Sequence, residues 1–216
     1  MNAEIKTGII FGGLIAAGVV FLAILFTGLD ESVSIIQDSG IKKAPNLVGI
    51  SDYLNTSPEK LSNDMENKVI LYDIWTYSCV NCIRTLPYIT AWNEKYAEQG
   101  LLIIGIHSPE FEFEKNAENV QVAMDKYGID YPVVLDNDMK TWKAFENNYW
   151  PRKYIADHQG NLRYDHIGEG GYQETEKIIQ QLLEERSKAM KIEDVSTMTS
   201  LVSIEEFEHT LFRTPE

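Results

Sequence analysis

The four residues Cys79-Val80-Asn81-Cys82 stand between a short apolar, aromatic run, Val69–Trp75 (VILYDIW), and a helix-patterned segment reaching from Cys82 to about Gln99. An apolar run of this length between polar loops has the signature of a central strand. Gly100 is a natural stop for the helix that follows. The two cysteines therefore stand at a strand-to-helix junction, and the rest of the chain decides whether that alternation continues. Downstream, Leu101–His107 (LLIIGIH) reads as a second buried-type strand. Residues 114–127 read as a helix, with Val120, Ala123, Met124 and Tyr127 at helical spacing. A third strand is expected at 131–135 and a short helix at 139–145. Residues 153–156 and 162–167 read as two strands joined by the turn DHQGN, a hairpin signal. Residues 172–191 close the pattern as a helix with Ile178, Ile179, Leu182 and Leu183 on one side. Such alternation implies an α/β domain with helices on both sheet faces, and the terminal hairpin makes the sheet mixed. Ahead of this core lie a possible strand at 47–50 and a loop containing Ser57-Pro58.

The N-terminus has a different character. Residues 8–29 (GIIFGGLIAAGVVFLAILFTGL) contain no charged side chain. About 20 such residues cross a hydrocarbon core as a helix, because all backbone polar groups are then satisfied internally. The expected organisation is a transmembrane anchor at 7–29, a tether at 30–45, the α/β domain at 46–192 and a tail at 193–216. Within that tail, residues 201–212 read as an amphipathic helix or an extended arm. The competing reading of the N-terminus, a cleaved signal peptide, requires a shorter apolar region and a small-x-small cleavage site, and Phe26-Thr27-Gly28 is a poor one. Basic residues near the span give a weak preference for the N-terminus inside.

Composition excludes several classes. The 216 residues carry 33 acidic and 19 basic side chains, a formal net charge of −14, which disfavours binding to a nucleic-acid backbone. Two cysteines are too few for a disulfide-dense scaffold or an all-cysteine zinc site. An apolar fraction of 44% is too high for a disordered chain.

The cysteines carry the chemistry. The free N–H groups and dipole of a helix N-terminus stabilise a thiolate and lower the pKa of the first cysteine. The second cysteine, one turn on, is near enough to form a disulfide with the first and to attack a mixed one. The same spacing occurs in zinc half-sites and in inert structural disulfides, although zinc would need two further ligands and only four scattered histidines are available. The adopted reading is a redox-active Cys79–Cys82 couple with no other cofactor and no metal. Asp73 interrupts an apolar strand six residues before Cys79, where a buried carboxylate is costly unless it has a partner or a task. Desolvation raises its pKa, which suits proton exchange with Cys82; a solvent-facing strand edge is the alternative. Trp75 and Tyr77 flank the cysteines, with Trp75 equally readable as core. Trp150-Pro151 precedes a strand; a cis bond there would let adjacent backbone bind an extended substrate, whereas a trans bond would mark a loop end.

Taken together, Asp73-Ile74-Trp75 before the cysteines and Trp150-Pro151 before a hairpin and last helix resemble thioredoxin. The similarity extends to the DipZ-type, TlpA-related membrane redoxins through 75–92 (WTYSCVNCIRTLPYITAW), 104–115 (IGIHSPEFEFEK), 131–138 (YPVVLDND), 147–161 (NNYWPRKYIADHQGN) and 167–183 (IGEGGYQETEKIIQQLL). The resemblance implies a thioredoxin-like three-layer α/β/α fold with a central mixed sheet behind one N-terminal transmembrane helix. It implies Cys79 as nucleophile, Cys82 as resolving thiol, Asp73 as buried proton-transfer acid and Pro151 as a cis-proline facing the disulfide. Trp150 and Trp75 would contribute to substrate binding, and His107 and Glu169 are auxiliary candidates, with His107 also readable as a polar strand end. The implied activity is thiol–disulfide exchange, in reduction or isomerisation, on protein thiol and disulfide clients. Because a cytosolic redoxin needs no anchor, the anchor and the weak charge preference together set the expected location outside the cytoplasm. A membrane electron-donor protein of CcdA/DsbD type would supply electrons, because a single anchor stands where related chains often carry a multi-helix conducting domain. Related chains can also continue beyond a Thr-Pro-Glu motif, and this sequence stops at Thr214-Pro215-Glu216. Competing functions are a thiol peroxidase, suggested by Thr76-Tyr77-Ser78-Cys79, and a membrane-tethered adaptor with a structural disulfide.

Overall fold

The computed structural model describes residues 42–192 and 200–202. The expected anchor, most of the tether and nearly all of the tail lie outside these residues. Among the described residues no helix is long and apolar enough to cross a membrane.

Strands β1 (Asp52–Leu54), β2 (Val69–Trp75), β3 (Leu101–His107), β4 (Val133–Leu135), β5 (Arg152–Ala156) and β6 (Leu162–Ile167) form one sheet ordered β1-β4-β3-β2-β5-β6. Between them run helices α1 (Pro58–Asp64), α2 (Val80–Tyr96), α3 (Ala117–Tyr127) and α4 (Lys140–Ala144), and α5 (Tyr172–Met190) follows β6. β2 is parallel to β3 and antiparallel to β5, so the sheet is mixed, as the hairpin requires. With neighbours on both edges and helices on both faces, all seven β2 residues are buried. Alternation along the strand sends Ile70, Tyr72 and Ile74 into a core with Ile104, Ile106, Val134 and Tyr154, covered by Leu61 of α1 and by Trp142 and Phe145 at α4. Leu71, Asp73 and Trp75 point to the opposite face, beneath α2 and α5.

On that face α2 buries Cys82, Thr85, Leu86, Ile89, Trp92 and Tyr96, a helical stripe. α5 lies alongside it. The Tyr96 hydroxyl donates to the buried Glu176 carboxylate at 2.6 Å, Lys95 pairs with the same group at 3.0 Å, and the Tyr88 and Tyr172 rings stack at 3.5 Å. The short tail piece joins them, the Val202 N–H donating to Glu176 at 2.9 Å.

Four local expectations change. Residues 47–50 are not a strand: Gly49 takes φ +66°, and the Val48 N–H donates to the Thr141 hydroxyl rather than to a neighbouring strand. The Ser57-Pro58 loop opens α1, where the Ser57 hydroxyl accepts the Lys60 N–H at 3.2 Å and proline occupies the first turn. Only Leu61 of that helix is buried, so it left no apolar period to read. The helix expected over 114–127 is divided into a 3₁₀ turn, Glu112–Lys115, and α3, because Asn116 turns to extended backbone and its side chain caps the Glu118 N–H at 2.8 Å. Finally, the end of the expected tether packs on the domain: Ala44 N–H donates to Gly160 at 2.9 Å and Leu162 N–H to Lys42 at 2.8 Å.

Candidate active site

β2 runs into a tight loop, Thr76-Tyr77-Ser78, that delivers Cys79 to the N-cap of α2 in extended backbone conformation. The Cys79 Sγ accepts the Cys82 N–H at 3.3 Å, so the sulfur itself caps the helix. Cys79 is partly exposed and Cys82 fully buried, both as free thiols. The Cys82 thiol beside it and the N–H groups of Cys82 and Asn81 outweigh partial burial and the Glu110 carboxylate, and lower the Cys79 pKa from 9.0 to about 7. Burial pushes Cys82 far above the ordinary thiol range, reinforced by its role as donor to Cys79. One thiol is therefore ready to ionise near neutrality, while the other holds its proton until a base removes it.

Asp73 is fully buried in the central strand, which excludes the solvent-edge reading, and neither carboxylate oxygen has a hydrogen-bond partner. Desolvation raises its pKa from 3.8 to about 6, with Lys153 opposing the rise. Lys153 sits directly opposite Asp73 in the β2–β5 register, and directly opposed residues share a face. It is also fully buried, and its ammonium donates to the Gly168 carbonyl at 3.4 Å. Burial lowers the Lys153 pKa, while Asp73, Cys82 and Glu169 hold it up. A buried lysine and aspartate thus lie in electrostatic reach of the resolving thiol. Lys153 was passed over in the sequence because it stands beside Arg152 at the start of the strand RKYIA, where nothing local separates a buried cation from a solvated one. On the other side Asp73 aligns with Gly105, where a Cβ would come within 3.0 Å of the Trp75 indole nitrogen and of Val133. Glycine leaves room there for the indole.

Trp75 does not form client-binding surface. As the last inward-facing residue of β2 it is fully buried, edge-on to the His107 ring at 5.3 Å. The Trp150-Pro151 bond is cis. Because Arg152 aligns with Ile74, Pro151 lies level with the end of β2 that leads to the cysteines. Trp150 is locked in place, donating to the Ser108 carbonyl at 2.9 Å and packing on Trp142 at 4.1 Å.

His107 is the last residue of β3, a polar strand end as expected, and it is buried. Its Nε2 lies 3.3 Å from the Thr76 hydroxyl and 3.4 Å from the Tyr77 nitrogen, and its ring stacks on Tyr77. Burial lowers its pKa to about 4, so it is neutral at physiological pH and braces the cysteine loop. Glu169 is exposed and pairs with Arg84 at 3.4 Å on the surface, reaching the site only through its field at Lys153. Glu114, expected only as a helix start, is a second residue of the site that the sequence did not single out. Its buried carboxylate accepts the Ser78 hydroxyl at 2.6 Å and the Glu110 and Phe111 N–H groups at 2.6 and 2.9 Å. Burial raises its pKa, but these bonds and one from Thr76 leave it below the ordinary carboxylate value. Among the described residues no three histidine, cysteine or acidic side chains cluster as metal ligands.

The chain is 40% identical over 159 residues to protein DipZ of Mycobacterium bovis, covering 73% of this chain but only 23% of that protein. The thiol-disulfide oxidoreductase YkuV of Bacillus subtilis is 29% identical over 143 residues, 65% of this chain and 94% of that one. The solution structure of a thioredoxin-like protein in the oxidised form aligns with a TM-score of 0.59 at 28% identity, covering 67% of this chain and 96% of that one. The Redoxin family model matches residues 41–183, which enclose both cysteines, Asp73 and the cis-proline. The chain belongs to the redoxin family and has its thioredoxin-like fold.

Proposed function

We propose that the protein is a membrane-anchored thiol–disulfide oxidoreductase that reduces or isomerises protein disulfides outside the cytoplasm. The observation that carries the reading is the asymmetry of the pair: a partly exposed Cys79 with a pKa near 7 above a buried Cys82 that keeps its proton. An inert structural disulfide needs no such difference. The Cys79 thiolate attacks one sulfur of a client disulfide; that bond breaks, a Cys79–client bond forms, and the other client sulfur departs as a thiolate and takes up a proton. Asp73, largely ionised above pH 6, accepts the Cys82 proton. Cys82 then attacks the Cys79 sulfur, releasing the second client thiolate. The client gains two electrons and two protons, and the Cys79–Cys82 pair is left as a disulfide. No separate cofactor is required, because the sulfurs carry the electrons.

The uncharged run at 8–29 supports the anchor, and a domain held at the membrane is placed to be re-reduced by a membrane electron donor of CcdA/DsbD type. YkuV and ResA, both named thiol-disulfide oxidoreductases, support the reaction class. The test is trapping in cells: Cys82→Ser should accumulate client proteins disulfide-linked to Cys79 in the membrane fraction, facing an externally added impermeant label. Absence of any mixed disulfide, or recovery of the domain on the cytoplasmic side, refutes the corresponding half of the proposal.

A further inference from the structure

The loop at 108–115, between β3 and α3, exposes more apolar surface beside the nucleophile than a solvated loop requires. Phe111 and Phe113 are 48% and 56% exposed, and their rings stack at 5.5 Å. Tyr77, two residues before Cys79, meets Phe113 at 6.2 Å, and its hydroxyl donates to the Phe113 carbonyl at 3.3 Å. These rings form a continuous aromatic shelf that starts at the cysteine loop. The shelf is held in place: Glu114 ties the Glu110 and Phe111 backbone to Ser78, and Trp150 ties Ser108 to the cis-proline. A partner covering it would pay little ordering entropy. Exposed apolar patches of this kind mark interaction sites.

Charge narrows the partner further. Behind Phe111 a groove of about 770 Å³ is lined by Glu110, Glu112, Asp138 and Glu146 against Lys115 and Lys143. Glu112, Asp138 and Glu146 each pair with a lysine. Glu110 has no ion-pair partner among the described residues, and it lies close enough to Cys79 for its field to oppose ionisation of the thiol. We propose that the shelf selects clients: it takes an extended polypeptide that lays an aromatic or large aliphatic side chain on Phe111 and Phe113 and sets a lysine or arginine against Glu110, beside the client's disulfide. The inference rests on the thiol–disulfide reading and names the substrate class of that same site. A basic client residue would also cancel the field of Glu110 at Cys79, so docking and thiolate formation favour each other.

The full-length protein in detergent is assayed on four fluorogenic peptides, each joined to a quencher through a disulfide and carrying Phe or Ser and Lys or Glu beside its cysteine. Rates are normalised to those on bis(2-hydroxyethyl) disulfide. The Phe/Lys peptide is expected to exceed the Ser/Glu peptide in kcat/KM by about tenfold or more, since one buried ring or one close charge pair is worth roughly that factor. F111S/F113S should lose the preference for Phe while reducing the small disulfide at the original rate, and E110Q should lose the preference for Lys. Equal normalised rates on all four peptides, or preferences that survive these substitutions, overturn the inference while leaving the oxidoreductase reading intact. Failure to reduce even the small disulfide overturns that reading instead. The surface is then judged by fluorescence anisotropy with a disulfide-free Phe/Lys peptide: binding weakened by F111S/F113S upholds it, and absence of binding overturns it. Self-association of the full chain through Phe111 that excludes the peptide also overturns it.

Discussion

Replacing Asp73 with asparagine should stabilise the fold while slowing the reaction, and the size of the gain follows from the burial of the carboxylate. Its pKa rises from 3.8 in the open chain to about 6 in the folded domain, because the charged form loses its hydration and Lys153 restores only part of it. At roughly 1.4 kcal/mol per tenfold, the ionised carboxylate costs the native state about 3 kcal/mol. The sign is fixed by proton binding. Between pH 4 and 6 the folded chain holds more protons on Asp73 than the unfolded chain, so this group makes stability fall as pH rises through that window. Below pH 4 both states are protonated and the penalty vanishes; above pH 6 it is complete. Asp73→Asn should therefore match the parent near pH 4 and exceed it by about 3 kcal/mol at pH 7 to 8, a melting shift of roughly 6–12 °C. Urea unfolding of the reduced full-length protein, followed by tryptophan fluorescence at each pH, measures the difference. In single-turnover experiments the same variant should resolve mixed disulfides at least tenfold more slowly, having lost the acceptor for the Cys82 proton. No gain in stability at pH 8, or an equal gain at pH 4, would refute the electrostatic account.

Other consequences concern the groups around that carboxylate. Alkylation of Cys79 by iodoacetamide should rise with pH to a midpoint near 7, whereas Cys82 should stay unmodified in the folded protein, as mass spectrometry of each cysteine peptide would show. Lys153→Met removes the cation that opposes the Asp73 shift, so the Asp73 carboxyl ¹³C titration should move to a pKa above 6. Glu114→Ala leaves the Ser78 hydroxyl and two backbone N–H groups without their acceptor and should cost about 2 kcal/mol in urea unfolding, with faster proteolysis at 108–115.

Much of this molecule was legible because it is written in local patterns. The run VILYDIW, the helix after Cys79 and the hairpin at DHQGN have lengths and boundary residues set by backbone geometry, and the structure places β2, α2, β5 and β6 there. The two cysteines and Asp73 stood out as chemically expensive residues at a strand-to-helix junction. Elements with weak periodicity were lost: α1 buries one side chain, and the interruption at Asn116 depends on a single cap.

Tertiary packing alone decided the rest. Whether Trp75 met clients or the core depended on what packs around the end of β2, where His107 and the space left by Gly105 enclose its ring. Lys153 became part of the site because antiparallel register set it opposite Asp73, eighty positions away in the chain. Glu114 became the anchor of the cysteine loop because its loop folds back over Ser78, across 36 residues of sequence. The cysteine pair and the elements that hold it could be read from the chain alone, since each depends on neighbours a few residues away. Only the folded sheet determined which buried charges surround that pair, because pKa shifts come from burial and from partners that sequence distance does not reveal.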